Sequence, residues 1–383
     1  MTEAREAEAP NESAPPFLVG VASERLRLAR VNLELATAGE SHGPALVAIL
    51  AGLPAGLVLD REAIDADLRR RQQGYGRSRR QQIETDEVEV LAGLRHGRTL
   101  GTPLALVVRN RDHKNWTWGM DPWPPQGEPE GKGTRAVTLP RPGHADLAGV
   151  QKYGLADVRD ALERASARHT AVHVAAGAVV KALLAQIGVG VKGEALPTAG
   201  ADPAAVDAAR KDRDTLGGIV EVRATGVPPG LGSYVRKEER LDARLAAALM
   251  GIQAVKGVEI GDGFALAELR GSQAHDEIDT DRRRTSNRAG GIEGGMSNGE
   301  QIVVRAAMKP LPTLMKPLAS VDLDTGEAAT ALVERSDVSA VEALAVVAEA
   351  AVAWELARAA REKFGGDALG DFVGAWQAYV ERI

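Results

Sequence analysis

TSNRAGGIEGGMSNGEQIVVRAAMKPLPT, residues 285–313, joins a glycine-rich loop to a β-branched run that closes on Lys309-Pro310. Five glycines, at 290, 291, 294, 295 and 299, fall within ten residues. Glycine accepts positive φ and lets other groups approach the main chain, and successive free N–H groups make an anion-binding concavity. Ser286, Asn287, Arg288 and Ser297 add hydrogen-bonding side chains, and residues 301–307, QIVVRAA, read as a strand that holds the loop rigid. Two readings stand on this segment alone: a loop for an anionic ligand, or a glycine-rich hairpin with none. Neither GxxxxGK[ST] nor GxGxxG is present, so the common phosphate loops are excluded.

Strands and helices flank this segment without regular crossover helices between the strands, which predicts an α+β fold with antiparallel pairing. Downstream, a helix is expected over about 338–363, ending at Lys363-Phe-Gly-Gly. Its apolar part, Val338 to Ala360, contains Glu342, Glu349, Glu355 and Arg358, too many charges for a lipid-spanning helix. Upstream, Asp242 is expected to cap a helix over Ala243–Val255 terminated by Gly257, and Gly217–Gly226 alternates as a strand. Residues 189–216 lack a pattern and read as a peripheral connection. Asp157 to Ile187 is the strongest helical region of the first half, with Gly188 as its stop. Residues 110–142 are aperiodic, carry Trp116, Trp118 and Trp123, and read as a lid. Strands are expected near 87–91 and 104–109, and Asp60 is placed to cap a helix REAIDADLRRRQQ whose last turn is crowded with arginine. The folded domain is expected over 31–383, opening on a strand at Val31–Ala36, with the acidic residues 1–30 as a poorly ordered extension.

At 383 residues the chain can bury a large core in several layers or two subdomains. A net charge of −6 argues against a general nucleic-acid binder, so local arginine clusters point to a small anion. The absence of cysteine excludes disulfides, thiolate catalysis and cysteine metal sites and fits a reducing cytoplasm. No basic-then-apolar leader pattern opens the chain, and no membrane association is expected.

Four constellations carry chemistry. Gly39-Glu-Ser-His-Gly43 matches GxSxG formally, but a nucleophile elbow needs an oxyanion donor from an earlier strand–helix loop, for which no room precedes Ser41. Within it, His42 sits in a glycine-flanked loop where an imidazole can exchange protons near neutrality, or serves as a structural turn residue. Arg141-Pro-Gly-His-Ala-Asp146 places His144 two residues from a carboxylate that either orients the ring or caps the next helix. No HExxH pattern accompanies these histidines and no metal site is expected. The arginines at 69–71, 77, 79, 80, 164, 168, 282–284, 288 and 335 would suit a ligand bearing phosphate and carboxylate if several converge. Asp337 in Glu334-Arg-Ser-Asp-Val stands near a helix start and reads equally as an N-cap.

These segments together resemble chorismate synthase. TAGESHG, RRRQQGYGR, RPGHADLAGVQKYG, LERASARHT with HVAAGA, MGIQAVKGVEIGDGF, SNRAGGIEGGMSNG, AAMKPLPT and RSDVSAV occur in family order and span about 33–365. The resemblance implies a β-α-β sandwich and a cytoplasmic homotetramer. It implies conversion of 5-enolpyruvylshikimate 3-phosphate to chorismate and phosphate by 1,4-anti elimination, with reduced FMN and no net redox change. NADPH or an external reductase is then the source of the flavin's electrons. By motif match, the resemblance assigns Arg71 and Arg77 to NADP or substrate-anion binding, and Ser41 and Arg168 to the substrate. It assigns FMN contacts to Arg164, Ala165, Ser166, Gln253, Ala254, Gly294, Lys309, Pro310, Leu311, Pro312, Thr313 and Arg335. His42 resembles the histidine that protonates the leaving phosphate, His144 the one that assists the flavin N1 position, and Asp337 the carboxylate that works with flavin N5 as base. The chain departs from the family's SARET, followed by an arginine before VAAGA, by carrying His169 and His173. His169 is therefore kept out of the catalytic set.

Overall fold

The computed structural model describes residues 33–78, 85–333 and 336–383. Two antiparallel sheets of four strands enclose a helical layer, as the α+β reading expects. In the first sheet the strands run Glu34–Ala38, Ala45–Ala51, Leu104–Arg109, Val88–Ala92 from edge to edge; in the second, Gly190–Ala195, Gly218–Thr225, Ile302–Met308, Val255–Ile260. Period-2 patterning sets each register. Leu46, Ala48 and Leu50 face inward from one sheet, and Ile302, Val304, Ala306 and Met308 from the other.

The helical layer is built on Thr170–Ala185 and Val341–Phe364. The first packs on strands Ala45–Ala51 and Leu104–Arg109, the second on Gly190–Ala195 and Gly218–Thr225, and the two helices pack on each other. Both are apolar on nearly every face because each is covered on both sides. Their axes approach closely at Gly177, where a Cβ would lie 2.4 Å from the Cβ of Ala350. Helix Arg61–Gln72 flanks both, capped by Asp60, which accepts from the Glu62 N–H at 3.0 Å. Ile64, Leu68 and Arg71 share its buried face at i, i+4, i+7, so this spacing turns one arginine inward while Arg69 stays outside.

Several local expectations are corrected. Residues 189–216 hold an edge strand of the second sheet and helix Pro203–Lys211; the strand, GVKGEA, is mostly solvent-facing and lacks an apolar alternation to betray it. The Asp157–Ile187 region breaks at Ser166 into helix Val158–Ala165, a short turn Ala167–His169, and helix Thr170–Ala185. The Leu241–Met250 helix ends at Gly251, Asp242 lies in its first turn rather than at its cap, and Gly257 sits inside a strand. Helix Leu369–Arg382 follows the central helix and was not anticipated.

The opening stretch divides. Gly290 has φ +64, and a Cβ there would lie 2.3 Å from the Gly261 N. The glycines thus let two turns of the chain's own backbone touch at the end of the second sheet, with the short hairpin Ile292–Glu293/Met296–Ser297 beyond. Arg288 pairs with Asp262 and Arg284 with Glu293. The segment's far end, from Met308 onward, lines the cleft described next.

Candidate active site

Both central helices begin at a cleft of about 490 Å³. Thr170 from one, and Ala343, Leu344 and Val347 from the other, contribute to its lining. Helix N-termini carry partial positive charge and exposed N–H groups, so the fold itself biases this place toward anions. The chain's side chains add to that bias: among the described residues, Arg71, Arg77, Arg141, Arg168 and Lys309 line the cleft against one carboxylate, Asp337.

His42 lies in the turn between strands Glu34–Ala38 and Ala45–Ala51, a strand–turn–strand that excludes a nucleophile elbow at Ser41. Its ring is fixed from three directions. Glu163 takes the backbone N–H at 2.8 Å and stands 2.7 Å from ring Nδ1. Trp116 stacks on the imidazole at 3.9 Å between centroids. From the loop, His113 Nδ1 lies 2.9 Å from the His42 carbonyl, and buried Asn110 donates to the carbonyls of Glu40 and Gly43. A carboxylate at Nδ1 keeps the proton there and turns Nε2 into the exchanging nitrogen. The start of the 110–142 loop thus packs against the His42 turn, while Trp123 farther along is exposed.

His144 is held similarly, with Nδ1 hydrogen-bonded to Asp146. Arg141 donates to the same carboxylate at 2.9 Å and to Thr313 at 3.1 Å. Burial alone would push Asp146 up, but hydrogen bonds from His144 and Arg141 and the charge of Arg141 outweigh it and hold the carboxyl well below the usual range. Asp146 thus orients the ring and does not cap the helix that follows.

Arg71 and Arg168 share Asp86, at 3.3 and 2.7 Å. Arg71 also donates to Thr170 at 2.8 Å, and Arg168 to Asn110 at 2.9 Å. Burial pushes Arg71 down to about 9, with Asp86 opposing and Arg168 and Arg77 adding repulsion, so it stays charged at neutral pH. Two guanidiniums on one carboxylate leave net positive charge for a ligand to neutralise. Asp337 pairs with Arg77 at 3.1 Å and accepts from the Ser78 N–H at 2.6 Å; Ala340 occupies the N-cap, so the cap reading of Asp337 is wrong.

Ser41, His42, Arg71, Arg77, His144, Ala165, Ser166, Arg168, Gln253, Ala254, Lys309, Leu311, Pro312, Thr313 and Asp337 all line the one cleft. Three residues of the expected set do not. Arg164 is exposed and donates to Thr37, Pro310 points elsewhere between two lining neighbours, and Gly294 sits at the hairpin tip with open space around it. Arg335 lies outside the described residues, as do Arg79 and Arg80. Asp86, Glu163 and Arg141 were missed as partners, since nothing in their sequence spacing separates a buried carboxylate or guanidinium from a surface one. Ala254 is a non-glycine residue at φ +67, strained backbone at the cleft wall. Among the described residues no cluster of three or more metal-ligating side chains occurs, and no helix is long and apolar enough to cross a membrane.

Burial, with repulsion from His169 and Arg164, pushes His173 down to about 4 from an ordinary 6.5. Between those values the unfolded chain takes up a proton that the folded chain refuses. Stability is therefore complete above about 6.5 and falls as pH drops toward 4. The loss amounts to at most about 3 kcal/mol. Urea midpoints at neutral and acid pH should differ less for His173→Leu than for the wild type; an unchanged difference would show that other groups set the acid limb.

A family model for chorismate synthase matches residues 33–360. The chorismate synthase of Symbiobacterium thermophilum is 53% identical, over 91% of this chain and 98% of that protein. That of Rubrobacter xylanophilus is 54% identical over 91% and 96%. A chorismate synthase crystal structure superposes with a TM-score of 0.71 at 37% identity, covering 92% of this chain and 98% of the other.

Proposed function

Because this chain belongs to the chorismate synthase family of lyases, we propose that its cleft binds reduced FMN and 5-enolpyruvylshikimate 3-phosphate together and eliminates phosphate to leave chorismate. The observation that carries this reading is the charge of the cleft: among the described residues, five cationic side chains and two carboxylate-held imidazoles against one lining carboxylate, in a chain of net charge −6.

The residues present fit a flavin. Ile252, Met308, Ala343, Leu344 and Val347 give a flat ring an apolar bed, and Gln253 Oε1 is a buried acceptor with no partner among the described residues. Gln253, Ala254, Lys309 and Leu311–Thr313 would hold the cofactor, with Ala165 and Ser166 opposite. When bound, reduced flavin supplies electron density to the departing allylic system and recovers it, so the reaction has no net redox change.

The chain's own groups handle binding and protons. Arg71 and Arg168, fixed through their shared Asp86, supply positive charge to the anionic substituents. His42, held at Nδ1 by Glu163, donates a proton from Nε2 to the leaving phosphate oxygen as the C–O bond breaks. Asp337, paired with Arg77, receives the C6 proton. Arg141 supplies positive charge beside Thr313, and His144 stands next to it with Nδ1 held by Asp146.

Anaerobic incubation of the purified protein with FMN, dithionite and 5-enolpyruvylshikimate 3-phosphate should release phosphate and develop chorismate absorbance together; the absence of both overturns the reading. Family membership also underlies our proposals of a homotetramer and of NADPH, or a separate reductase, as electron source. An anaerobic NADPH-to-FMN assay separates those two sources.

A further inference from the structure

Asn110 directly follows strand Leu104–Arg109 and is buried. Its backbone N–H donates to the Pro44 carbonyl at 3.2 Å, which carries the pairing with strand Ala45–Ala51 one residue past Ala45 and Arg109. The side chain reaches in two directions from there. Its amide nitrogen donates to the carbonyls of Glu40 and Gly43 at 3.1 and 2.7 Å, and its amide oxygen accepts from Arg168 Nε at 2.9 Å. These neighbours admit one orientation. A reversed amide would set oxygen against two carbonyls and NH₂ against a guanidinium that can only donate. Asn110 therefore joins the turn that carries His42 to the guanidinium of Arg168. Both of those residues line the cleft, and Asn110 does not.

We propose that Asn110 is a positioning residue that sets the spacing between His42 and Arg168, so that the proton donor and the cation meet the same leaving phosphate together. The inference rests on the proposed elimination for the roles of those two residues. Each of them has its own anchor, Glu163 at 2.7 Å for the His42 ring and Asp86 at 2.7 Å for Arg168. Those anchors orient each group and leave the separation between them to be fixed by a bond across the gap. The Asn110 amide makes that bond, with its donors on one element and its acceptor on the other. His113 reinforces the same hold, since its N–H donates to the Asn110 carbonyl at 3.2 Å while its Nδ1 lies 2.9 Å from the His42 carbonyl. Proton transfer requires hydrogen-bond reach, so a shift of the His42 turn relative to the bound phosphate lowers turnover before it lowers binding.

Two full-length variants test this. Asn110→Asp conserves volume and keeps an acceptor for Arg168, but it sets carboxylate oxygen against the carbonyls of Glu40 and Gly43; Asn110→Ala only removes the side chain's bonds. At saturating 5-enolpyruvylshikimate 3-phosphate, kcat should fall about 10²-fold in Asn110→Ala and at least as far in Asn110→Asp. A packing role predicts the isosteric variant to be the milder, and that order overturns the proposal. Substrate KM should stay within about threefold in Asn110→Ala, because Asp86 still holds Arg168. A rise in KM with kcat unchanged would make Asn110 a support of binding alone and overturns the proposal. In a His42→Ala background, Asn110→Ala should lower the single-turnover rate by less than about twofold; a loss equal to that in the wild type shows that Asn110 does not act through His42 and overturns the proposal. Hydrogen exchange gives a readout that needs no turnover. The N–H groups of Ser41, His42 and Gly43 are bonded to the Glu163 carbonyl, the Glu163 carboxylate and the Glu40 carbonyl. Their exchange should accelerate about tenfold in Asn110→Asp while helix Thr170–Ala185 stays protected, and unchanged exchange overturns the proposal. Absence of phosphate release by the wild type, with exchange as expected, would instead overturn the elimination reading and leave the hold of Asn110 on the turn standing.

Discussion

Replacing His42 with alanine should lower kcat for phosphate release by roughly 10²–10⁴-fold, the range that a positioned general acid supplies. The imidazole is held by Glu163 at 2.7 Å and by the stack on Trp116, so its proton is delivered from one fixed orientation. Removing the ring leaves the arginines in place, and substrate affinity should change little. Glu163→Gln separates orientation from chemistry: an amide can present either face to Nδ1, the tautomer is no longer fixed, and kcat should fall by roughly 10–100-fold, as for loss of other ring-orienting partners. Wild-type turnover in His42→Ala would remove it from the phosphate side altogether. A Glu163→Gln loss as deep as that of His42→Ala would mean that the carboxylate acts directly.

Asp337→Asn should lower chorismate formation by roughly 10²-fold or more, because the amide cannot take a proton. The substitution keeps an oxygen to accept from the Ser78 N–H at 2.6 Å, and it loses the charge facing Arg77 at 3.1 Å. An unopposed Arg77 strengthens the positive potential of the cleft, so anion binding should tighten or hold while turnover collapses. FMN titration and single-turnover quench measured side by side decide the matter. If cofactor affinity falls in step with the rate, Asp337 serves only to anchor the Arg77 loop.

The two acid–base centres were differently legible. In the 141–146 motif the carboxylate lies two residues from His144, and that proximity made orientation of the ring one of two visible readings. His42 and Glu163 are 121 residues apart, and the helix carrying Glu163 shows Val158 and Leu162 on its apolar face with nothing to single out the acid. Arg71 is intermediate. Its i, i+4, i+7 relation to Leu68 and Ile64 was present in the sequence, yet only the packing of that helix on the central pair makes the face a buried one. The glycine-rich stretch misled in part, because positive φ and close approach are required equally by a ligand and by a second turn of backbone. Here the contact is with Gly261.

By itself the sequence determined the strands of alternating burial, the helices with clean caps or unbroken apolar faces, the family, and the identity of most residues around the cleft. Those features depend on short-range patterns and on motifs that survive in order along the chain. The tertiary structure decided which carboxylate fixes which imidazole, that Arg71 and Arg168 share Asp86, and that Gly294 does not reach the cleft. Each of these depends on where two covered helices start relative to the turns of both sheets. That placement is set by long-range packing, such as the Gly177–Ala350 approach, which no local pattern encodes.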